Sequence, residues 1–376
     1  SLHDALPIFI EHLKEKIKND ELKPHDKLPT EEKLGEIFDV SRITSNRALV
    51  ELEREGLIYR KRGSGSFVAP QNNKNKKINL EGKNLIALVL PFDSSQGRIM
   101  DVIKGATEYL SERNYYLSVH SGKSDPEKEK KLIKELINGQ VSGIIYYPIS
   151  SNKNLDLINS LYLNKFPIVT IDKFFESVPI SYVISDNFKG GYLATNHLIN
   201  NNHDNISFFS GVTIEERMSV RERYFGYCKA LKENGIEIND GINILGLDEK
   251  LGSGSFFVYN DEIKNTIEKL KDKGVTGIVA ENDYVALNLE MVCEKVGLNI
   301  PEDLSIIGFD NIELSDKFNP SLTTIKQNFY DIGEKAAEIL VESIQKNEYQ
   351  YQQIILPVQL IERNSTKSLS REDESL

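Results

Sequence analysis

Alternation between strand-like and helix-like segments is the feature that most restricts the fold of this chain. From residue 85 onward, short runs rich in Ile, Val and Tyr, such as LIALVLP at 85–91 and FPIVTID at 166–172, are separated by amphipathic stretches such as DPEKEKKLIKELINGQ at 125–140. Strands that alternate with helices in this way form βαβ units around a parallel sheet. A second series follows from residue 205, so we predict two consecutive doubly wound lobes.

Polar side chains stand where several of these predicted strands end. Asp172 ends VTID, Asn282 and Asp283 end GIVAEND, Asp310 ends SIIGFD, and Arg223 lies early in the helical segment SVRERYFGY. Open α/β sheets bind ligands outside the carboxyl ends of their strands. An arginine, several carboxylates or amides and nearby aromatic rings suit a neutral polyhydroxy ligand. Each strand-end residue taken alone also fits a helix cap or a turn.

The first 70 residues follow a different, helical pattern. Apolar residues four apart predict a first helix around 9–17. Thr30 and Ser41 are suited to cap the N-termini of a second and a third helix, and Gly56 is suited to end the third. The short turn between the second and third helices predicts a helix-turn-helix at about 30–49, whose last helix fits the major groove of DNA.

A basic run meets a glycine-containing loop directly after the third helix. The sequence RKRGSGSF lies between two β-prone segments and predicts a hairpin wing at 58–68. The pentapeptide GSGSF recurs at 252–256 without a basic run, so glycine alone does not account for the first copy. Cations neutralise phosphates, and glycine lets the backbone approach a groove closely. The groups that we expect to reach DNA from the wing are Lys61, Arg62, Gly63 and Gly65.

The predicted third helix carries further side chains suited to DNA. Arg42, near its start, can donate two hydrogen bonds to guanine O6 and N7. Thr44 can meet a base or a phosphate, and Arg47 can hold the backbone. Each of these residues taken alone also fits an ordinary exposed surface position.

Composition and charge limit the class of protein and the cellular compartment that we expect. The formal net charge is −11, yet residues 1–77 carry 15 Lys and Arg against 13 Asp and Glu, which places a near-neutral head on an acidic body. The longest apolar runs fall well short of the roughly 20 residues that a membrane span needs, and no secretory pattern opens the chain. The two cysteines and six histidines show no metal-ligand spacing. We therefore expect a cytoplasmic protein without metal, cofactor or membrane partner.

The head resembles the winged helix-turn-helix of the GntR family of bacterial regulators. The resemblance lies in LPTE, VSRIT, ALVEL, EGL and GSGSFV within residues 27–69. It implies that Glu31, Arg42, Thr44 and the wing tip from Arg62 to Gly65 contact double-stranded DNA. Asn46 stands where the family commonly has an arginine, with Arg47 next to it. Asparagine can read adenine with both ends of its amide, so the operator is expected to differ from those of close relatives.

The body, residues 85–364, is similar to the effector domain of the LacI/GalR repressors and to periplasmic sugar-binding proteins. The resemblance lies in SDNFKGGYLATNHLI, RERYFGYCKAL, IPEDLSIIGFDN and LPVQLIERNST. It implies an α/β fold of two doubly wound lobes, a small sugar effector and a homodimer. The effector-contacting residues that it implies are Asp172, Arg223, Asn282, Asp310, Gln327 and Phe329.

Together these patterns predict a winged helix-turn-helix domain at 1–70, a linker at 71–84, the effector domain at 85–364 and a polar tail at 365–376. The two resemblances imply that the chain is a bacterial transcriptional repressor of sugar-utilisation genes, which a small sugar releases from its operator. The combination of head and body resembles the arabinose repressors of bacilli, which makes L-arabinose the expected effector. An effector such as a purine, an activator role and a transport-type sugar-binding protein are the alternatives. An enzyme is not expected, because no acid/base pair or nucleophile triad stands at the strand ends.

Overall fold

The computed structural model describes residues 5–19, 21–61, 64–69, 84–91, 97–252, 259, 261–346 and 350–370. Contacts divide the chain into two compact units, Ser1–Leu80 and Glu81–Leu376, called here the head and the body. Nearly all of the predicted linker at 71–84, most of the second GSGSF and the last residues of the predicted tail lie outside the described residues. No helix in the described part of the chain is long and apolar enough to cross a membrane.

The head is a winged helix-turn-helix. Three helices precede a two-stranded antiparallel hairpin in which Ile58 pairs with Val68 and Lys61 with Gly65. Its elements are α1 Ala5–Lys18, α2 Glu31–Phe38, α3 Arg42–Arg54, β1 Ile58–Lys61 and β2 Gly65–Val68.

Local capping defines the helix-turn-helix. Thr30 Oγ1 accepts a hydrogen bond from the Lys33 amide at 3.3 Å, and Ser41 Oγ accepts one from the Thr44 amide at 3.1 Å. Each cap satisfies an amide that the first turn of a helix leaves without a partner. Gly56 adopts a φ of +73° directly after α3, as a residue that ends a helix does.

The head core lies between α1, α2, α3 and the wing. Leu34, Leu49 and Leu52 are buried there, together with Ile58 and Val68 of the hairpin. On α2, Leu34 and Phe38 form the packed side, whereas Ile37 remains 58% exposed.

The body has two lobes, each a sheet covered by helices. The N-terminal lobe holds a six-stranded parallel sheet of order β12-β7-β6-β5-β3-β4. Its elements are β3 Leu85–Leu90, α4 Gly97–Ser111, β4 Tyr116–Ser121, α5 Pro126–Asn138, β5 Gly143–Tyr146, α6 Leu155–Leu163, β6 Ile168–Ile171, β7 Ser181–Ser185, α11 Phe329–Lys346 and β12 Gln353–Leu356.

The C-terminal lobe holds a five-stranded sheet of order β13-β11-β10-β9-β8, in which β13 alone runs antiparallel to its neighbour. Its elements are α7 Asn187–Asn200, β8 Ile206–Phe209, α8 Met218–Glu233, α9 Asp261–Asp272, β9 Gly277–Ala280, α10 Asp283–Lys295, β10 Ser305–Asp310, β11 Thr323–Lys326 and β13 Gln359–Ile361, with short 3₁₀ turns at Glu249–Gly252 and Glu313–Asp316. Residues 365–369, assigned to the polar tail by sequence, also bond to this lobe, since Ser365 is buried and the Leu369 amide donates to the Asn201 carbonyl.

The chain crosses between the lobes three times, after β7, after β11 and after β12. The fold class is therefore the expected one: a winged helix-turn-helix joined to a body of two parallel-sheet lobes. The crossings bring the carboxyl ends of strands from both lobes to one region.

The helices α7 and α8 of the body pack against each other with glycine at the contact. In the C-terminal lobe, a Cβ on Gly191 of α7 would lie 2.0 Å from the main-chain oxygen of Arg223 on α8. A Cβ on Gly226 of α8 would likewise lie 2.0 Å from the oxygen of Phe188. The close approach of these helices fixes where the Arg223 side chain begins.

Gly191→Ala is expected to lower the free energy of unfolding by about 3 kcal/mol, at the upper end of the cost of overpacking, because the added methyl meets backbone. Urea unfolding of the full chain measures the change. Asn200→Ala adds no contact on an exposed position of the same helix and should stay within about 0.5 kcal/mol of the unmodified protein. Equal stability of the two variants would contradict the tight helix contact.

Candidate DNA and effector sites

Asp310 is the centre of the polar cluster between the lobes. It ends β10 with a φ of +115° and is only 3% exposed. Its Oδ1 accepts from Gln327 Nε2 at 2.5 Å, and its Oδ2 accepts from Arg98 Nη1 at 2.6 Å. A buried carboxylate needs such donors, because burying a charge without partners is costly.

Arg223 faces the same carboxylate from α8. Its Nη2 lies 3.6 Å from Asp310 Oδ1, and its Nε donates to Asn187 Oδ1 at 2.9 Å. Its Nη1 donates to the Glu281 carbonyl, and its guanidinium carbon lies 3.6 Å from the centre of the Phe309 ring. Burial lowers the pKa of Arg223, and the negative charge of Asp310 opposes this shift. The guanidinium is thus held rigidly at the strand ends with one side against an aromatic face.

Arg98 joins the two lobes and was not predicted. It lies in the first turn of α4 in the N-terminal lobe, whereas its partner Asp310 belongs to the C-terminal lobe. Burial disfavours the charged guanidinium, but Asp310, Tyr147 and Asp172 outweigh this effect, so the pKa of Arg98 is raised. The signal in the sequence was a cation that opens the first helix after strand LIALVL, where a parallel sheet presents its ligand-binding edge.

Asp172 stands on the N-terminal side of the cluster. It follows β6 with a φ of +65° and is half-buried. Burial, and then the charge of Asp172, raise the pKa of the neighbouring Tyr147 well above its ordinary value. The next residue, Lys173, donates from Nζ to the carbonyls of Pro148 at 2.9 Å and Ile149 at 3.1 Å. Lys173 therefore fastens the loop after β5 to the end of β6.

Asn282 and Asp283, which follow β9, both bond to the surrounding fold. Asn282 Oδ1 accepts from the Val285 amide at 3.0 Å and so caps α10. Asp283 accepts from Ser315 and Thr324 hydroxyls at 2.5 Å each, and burial raises its pKa to about 7. Asp283 therefore holds the loop after β10 rather than facing a ligand.

The structure brings Arg223, Asp310 and Gln327 into direct contact, with Asn282 next to the carbonyl that Arg223 binds. Asp172 acts on this cluster through its charge. Phe329 is half-buried at the start of α11 and packs against the core of the N-terminal lobe. Besides Arg98, the sequence interpretation missed Asn187, which follows strand SYVIS and is signalled only by that position.

The candidate DNA surface lies on the head. Arg42 Nε is 3.5 Å from Glu31 Oε2, and the Arg42 side chain is 77% exposed. Thr44 Oγ1 lies 2.8 Å from the Ser41 hydroxyl at the start of α3. Asn46, one turn after Arg42, accepts from Arg60 of the wing at 3.0 Å. The first turns of α3, the start of α2 and the wing thus present two cations, a carboxylate and an amide together.

The remaining residues that we predict to contact DNA are either exposed or lie outside the described part of the head. Arg47 and Lys61 are exposed, and no ion pair joins either to another residue in the described parts of the head. Gly65 opens β2 with a φ of +112°, a conformation in which glycine is favoured. Arg62 and Gly63 lie outside the described residues.

A winged helix-turn-helix head joined to a two-lobed body defines a bacterial transcription regulator with its own ligand-binding domain. Residues 9–68 match the family of bacterial regulatory proteins called gntR, and residues 195–366 match the periplasmic binding protein-like domain. Both matches agree with the resemblances found in the sequence.

Known relatives share this organisation over nearly their whole length. The chain is 30% identical to the arabinose metabolism transcriptional repressor of Halalkalibacterium halodurans, over 96% of this chain and 96% of that protein. It is also 30% identical to the protein of the same name from Geobacillus stearothermophilus, over 93% of this chain and 94% of that protein. A LacI family regulator from Enterococcus faecium with bound ribose matches 76% of this chain and 100% of its own, with 28% identity and a TM-score of 0.63. The chain belongs to the family of bacterial transcriptional repressors that includes these arabinose metabolism repressors, a family of regulators rather than enzymes.

Proposed function

We propose that this repressor binds operator DNA through its head and that a small sugar bound between the lobes of its body releases it. L-arabinose is the first candidate effector, because the relatives similar over nearly the whole chain are named for arabinose metabolism. The repressor acts in the cytoplasm, as a homodimer on an operator of two half-sites related by a pseudo-dyad.

The arrangement around Asp310 carries this proposal. An arginine held at 3.6 Å from a buried carboxylate, beside Gln327 and an aromatic face, offers donors and acceptors to adjacent hydroxyls. The site lies at the carboxyl ends of parallel strands from both lobes, where such folds bind ligands. The structural relative with bound ribose supports a sugar as the ligand class.

Release requires that the sugar and the operator favour different arrangements of the dimer, because a ligand without preference shifts nothing. We infer that sugar binding changes the arrangement of the lobes and thereby the spacing of the two heads. Coupling of this kind amounts to about 1–3 kcal/mol, or roughly 5- to 150-fold in affinity.

The test is operator affinity of the full-length protein at fixed salt, with and without L-arabinose. Other pentoses, including ribose, and purine bases serve as alternative effectors. Thermal shift reports which of them binds. A ligand that stabilises the protein and weakens operator binding supports the proposal. Binding without any effect on the operator, or release by purines alone, contradicts it. Footprinting that shows a single half-site at full affinity contradicts the dimer.

Lys61→Ala is expected to weaken binding to all DNA sequences alike, because an exposed wing cation neutralises phosphate rather than reading bases. The slope of log affinity against log salt should fall by about one unit. Salt titrations on operator and random duplex measure both effects. Lys14→Ala, which removes a cation paired at 2.7 Å with Glu55 directly after the last turn of α3, is the matched control. A slope that Lys61→Ala leaves unchanged contradicts the phosphate contact.

A further inference from the structure

Arg60 of the wing turns back onto the recognition helix α3. Its Nη2 donates to Asn46 Oδ1 at 3.0 Å and to the Asn46 main-chain oxygen at 3.3 Å. The two neighbouring cations of the wing therefore differ in exposure. Lys61 is exposed, whereas the Arg60 side chain is only 30% exposed.

Two carboxylates hold Arg60 in this position. Its Nε lies 3.4 Å from Glu53 Oε2, and its amide donates to Glu53 Oε1 at 3.2 Å. Its Nη1 lies 3.8 Å from Glu31 Oε1, and the other oxygen of Glu31 faces Arg42. Arg60 thus links the wing to Glu31 of α2 and to Asn46 and Glu53 of α3.

The contact with Arg60 fixes the direction of the Asn46 amide. A guanidinium carries donors only, so the atom that faces it must be the amide oxygen. The Asn46 amide nitrogen then points to the other side, and nothing in the described part of the head accepts from it. Asn46 and Arg42 are four residues apart and share one face of α3.

We infer that Asn46 presents its two N–H donors to DNA and reads a base with acceptors, guanine above all, and that Arg60 is the positioning residue that selects this orientation. This inference rests on the proposed operator binding. Reading adenine with both ends of the amide, as the sequence suggests, needs the amide oxygen to accept from adenine N6. That oxygen is held by Arg60, whereas guanine O6 and N7 require only donors.

Arg60→Met keeps an unbranched apolar stem but removes all the donors of the side chain. The Asn46 amide can then turn over and pair with adenine. Asn46→Asp keeps the acceptor for Arg60 and removes the donors. This variant should lose guanine and favour cytosine, whose N4 donates.

The experiment selects operators for the full-length protein and its variants from a DNA library randomised over one half-site. The position read by Asn46 is the one whose preference Asn46→Ala removes. The unmodified protein should prefer guanine over adenine there by about ten-fold, the scale of one good base contact. Arg60→Met should bring that ratio near one. Lys61→Met, a change in the adjacent wing residue, should lower affinity and leave the ratio unchanged.

Adenine preference in the unmodified protein would overturn the inference, as would Arg60→Met with lower affinity but the same ratio. If Arg60→Met does not fold, the Asn46→Asp variant tests the inference instead. Retained guanine preference in that variant would also overturn the inference. A protein that selects no sequence at all contradicts the proposed function as well, whereas a selected operator with adenine at this position contradicts the inference alone.

Discussion

Arg42→Ala is expected to weaken operator binding by about ten-fold or more while binding to unrelated DNA changes little. A bidentate contact with guanine contributes about 1–3 kcal/mol of discrimination, and 1.4 kcal/mol corresponds to ten-fold. The side chain is 77% exposed, and its pairing with Glu31 at 3.5 Å is an exposed ion pair. Such pairs contribute about 0–1 kcal/mol, so the head should remain folded. Titrations of operator and random duplex at one salt concentration measure both affinities.

Arg54→Ala is the matched control for this change. Arg54 lies at the other end of α3, is 76% exposed and pairs with Glu51 at 2.5 Å. Its removal takes one positive charge from the same helix without touching the predicted base-reading end. Equal losses on operator and random DNA in the Arg42→Ala protein would show that Arg42 contacts phosphate instead of a base.

Local signals predicted the elements of the head well. Thr30 and Ser41 cap α2 and α3 as expected, because a cap depends on a side chain and an amide within the same turn. The position of Gly56 after α3 follows from the same local rule. The inward turn of Arg60 could not be predicted, because it depends on how the wing packs against Glu31 of α2 and Glu53 of α3.

In the body, too, local sequence patterns predicted the individual elements but not their contacts with distant elements. Apolar runs predicted the parallel strands of both lobes, but not that α11 and β12 return to the N-terminal lobe. That return depends on helix packing, since a Cβ on Gly333 of α11 would lie 2.0 Å from the Val102 oxygen of α4. Repeating hydrophobic patterns define a helix face and do not specify its partner.

The sequence predicted only some residues of the candidate effector site, because the others depend on contacts between distant parts of the chain. Strand-end position led to the prediction of Asp172, Asn282 and Asp310, because parallel sheets expose their carboxyl ends at one edge. Position alone did not show that Asp283 holds the loop after β10. Arg98 was missed because an interlobe ion pair joins residues 212 positions apart.

Arg223→Ala is expected to abolish the response to sugar and to leave operator affinity without sugar close to that of the unmodified protein. The guanidinium is buried, bonds to Asn187 at 2.9 Å and faces Asp310 at 3.6 Å, so its loss removes the central donor of the site. The candidate DNA contacts lie in the separate head. The result would be a repressor that stays on its operator at every sugar concentration, measured by titrating sugar into the protein–operator complex.

Removing one partner of a buried ion pair costs about 3–5 kcal/mol of folding stability, so two milder variants accompany this change. Arg223→Lys keeps a cation but loses the planar fork of donors, and should weaken sugar binding while keeping the fold. Asp310→Asn replaces an acceptor by a donor that opposes Arg98 or Gln327, and should also remove the response. Lys229→Ala, on the exposed side of α8 and paired with Glu233 at 2.9 Å, should respond normally. Release of the Arg223→Ala protein at an unchanged sugar concentration would place the effector elsewhere, because no ligand held by Arg223 could bind equally well without it.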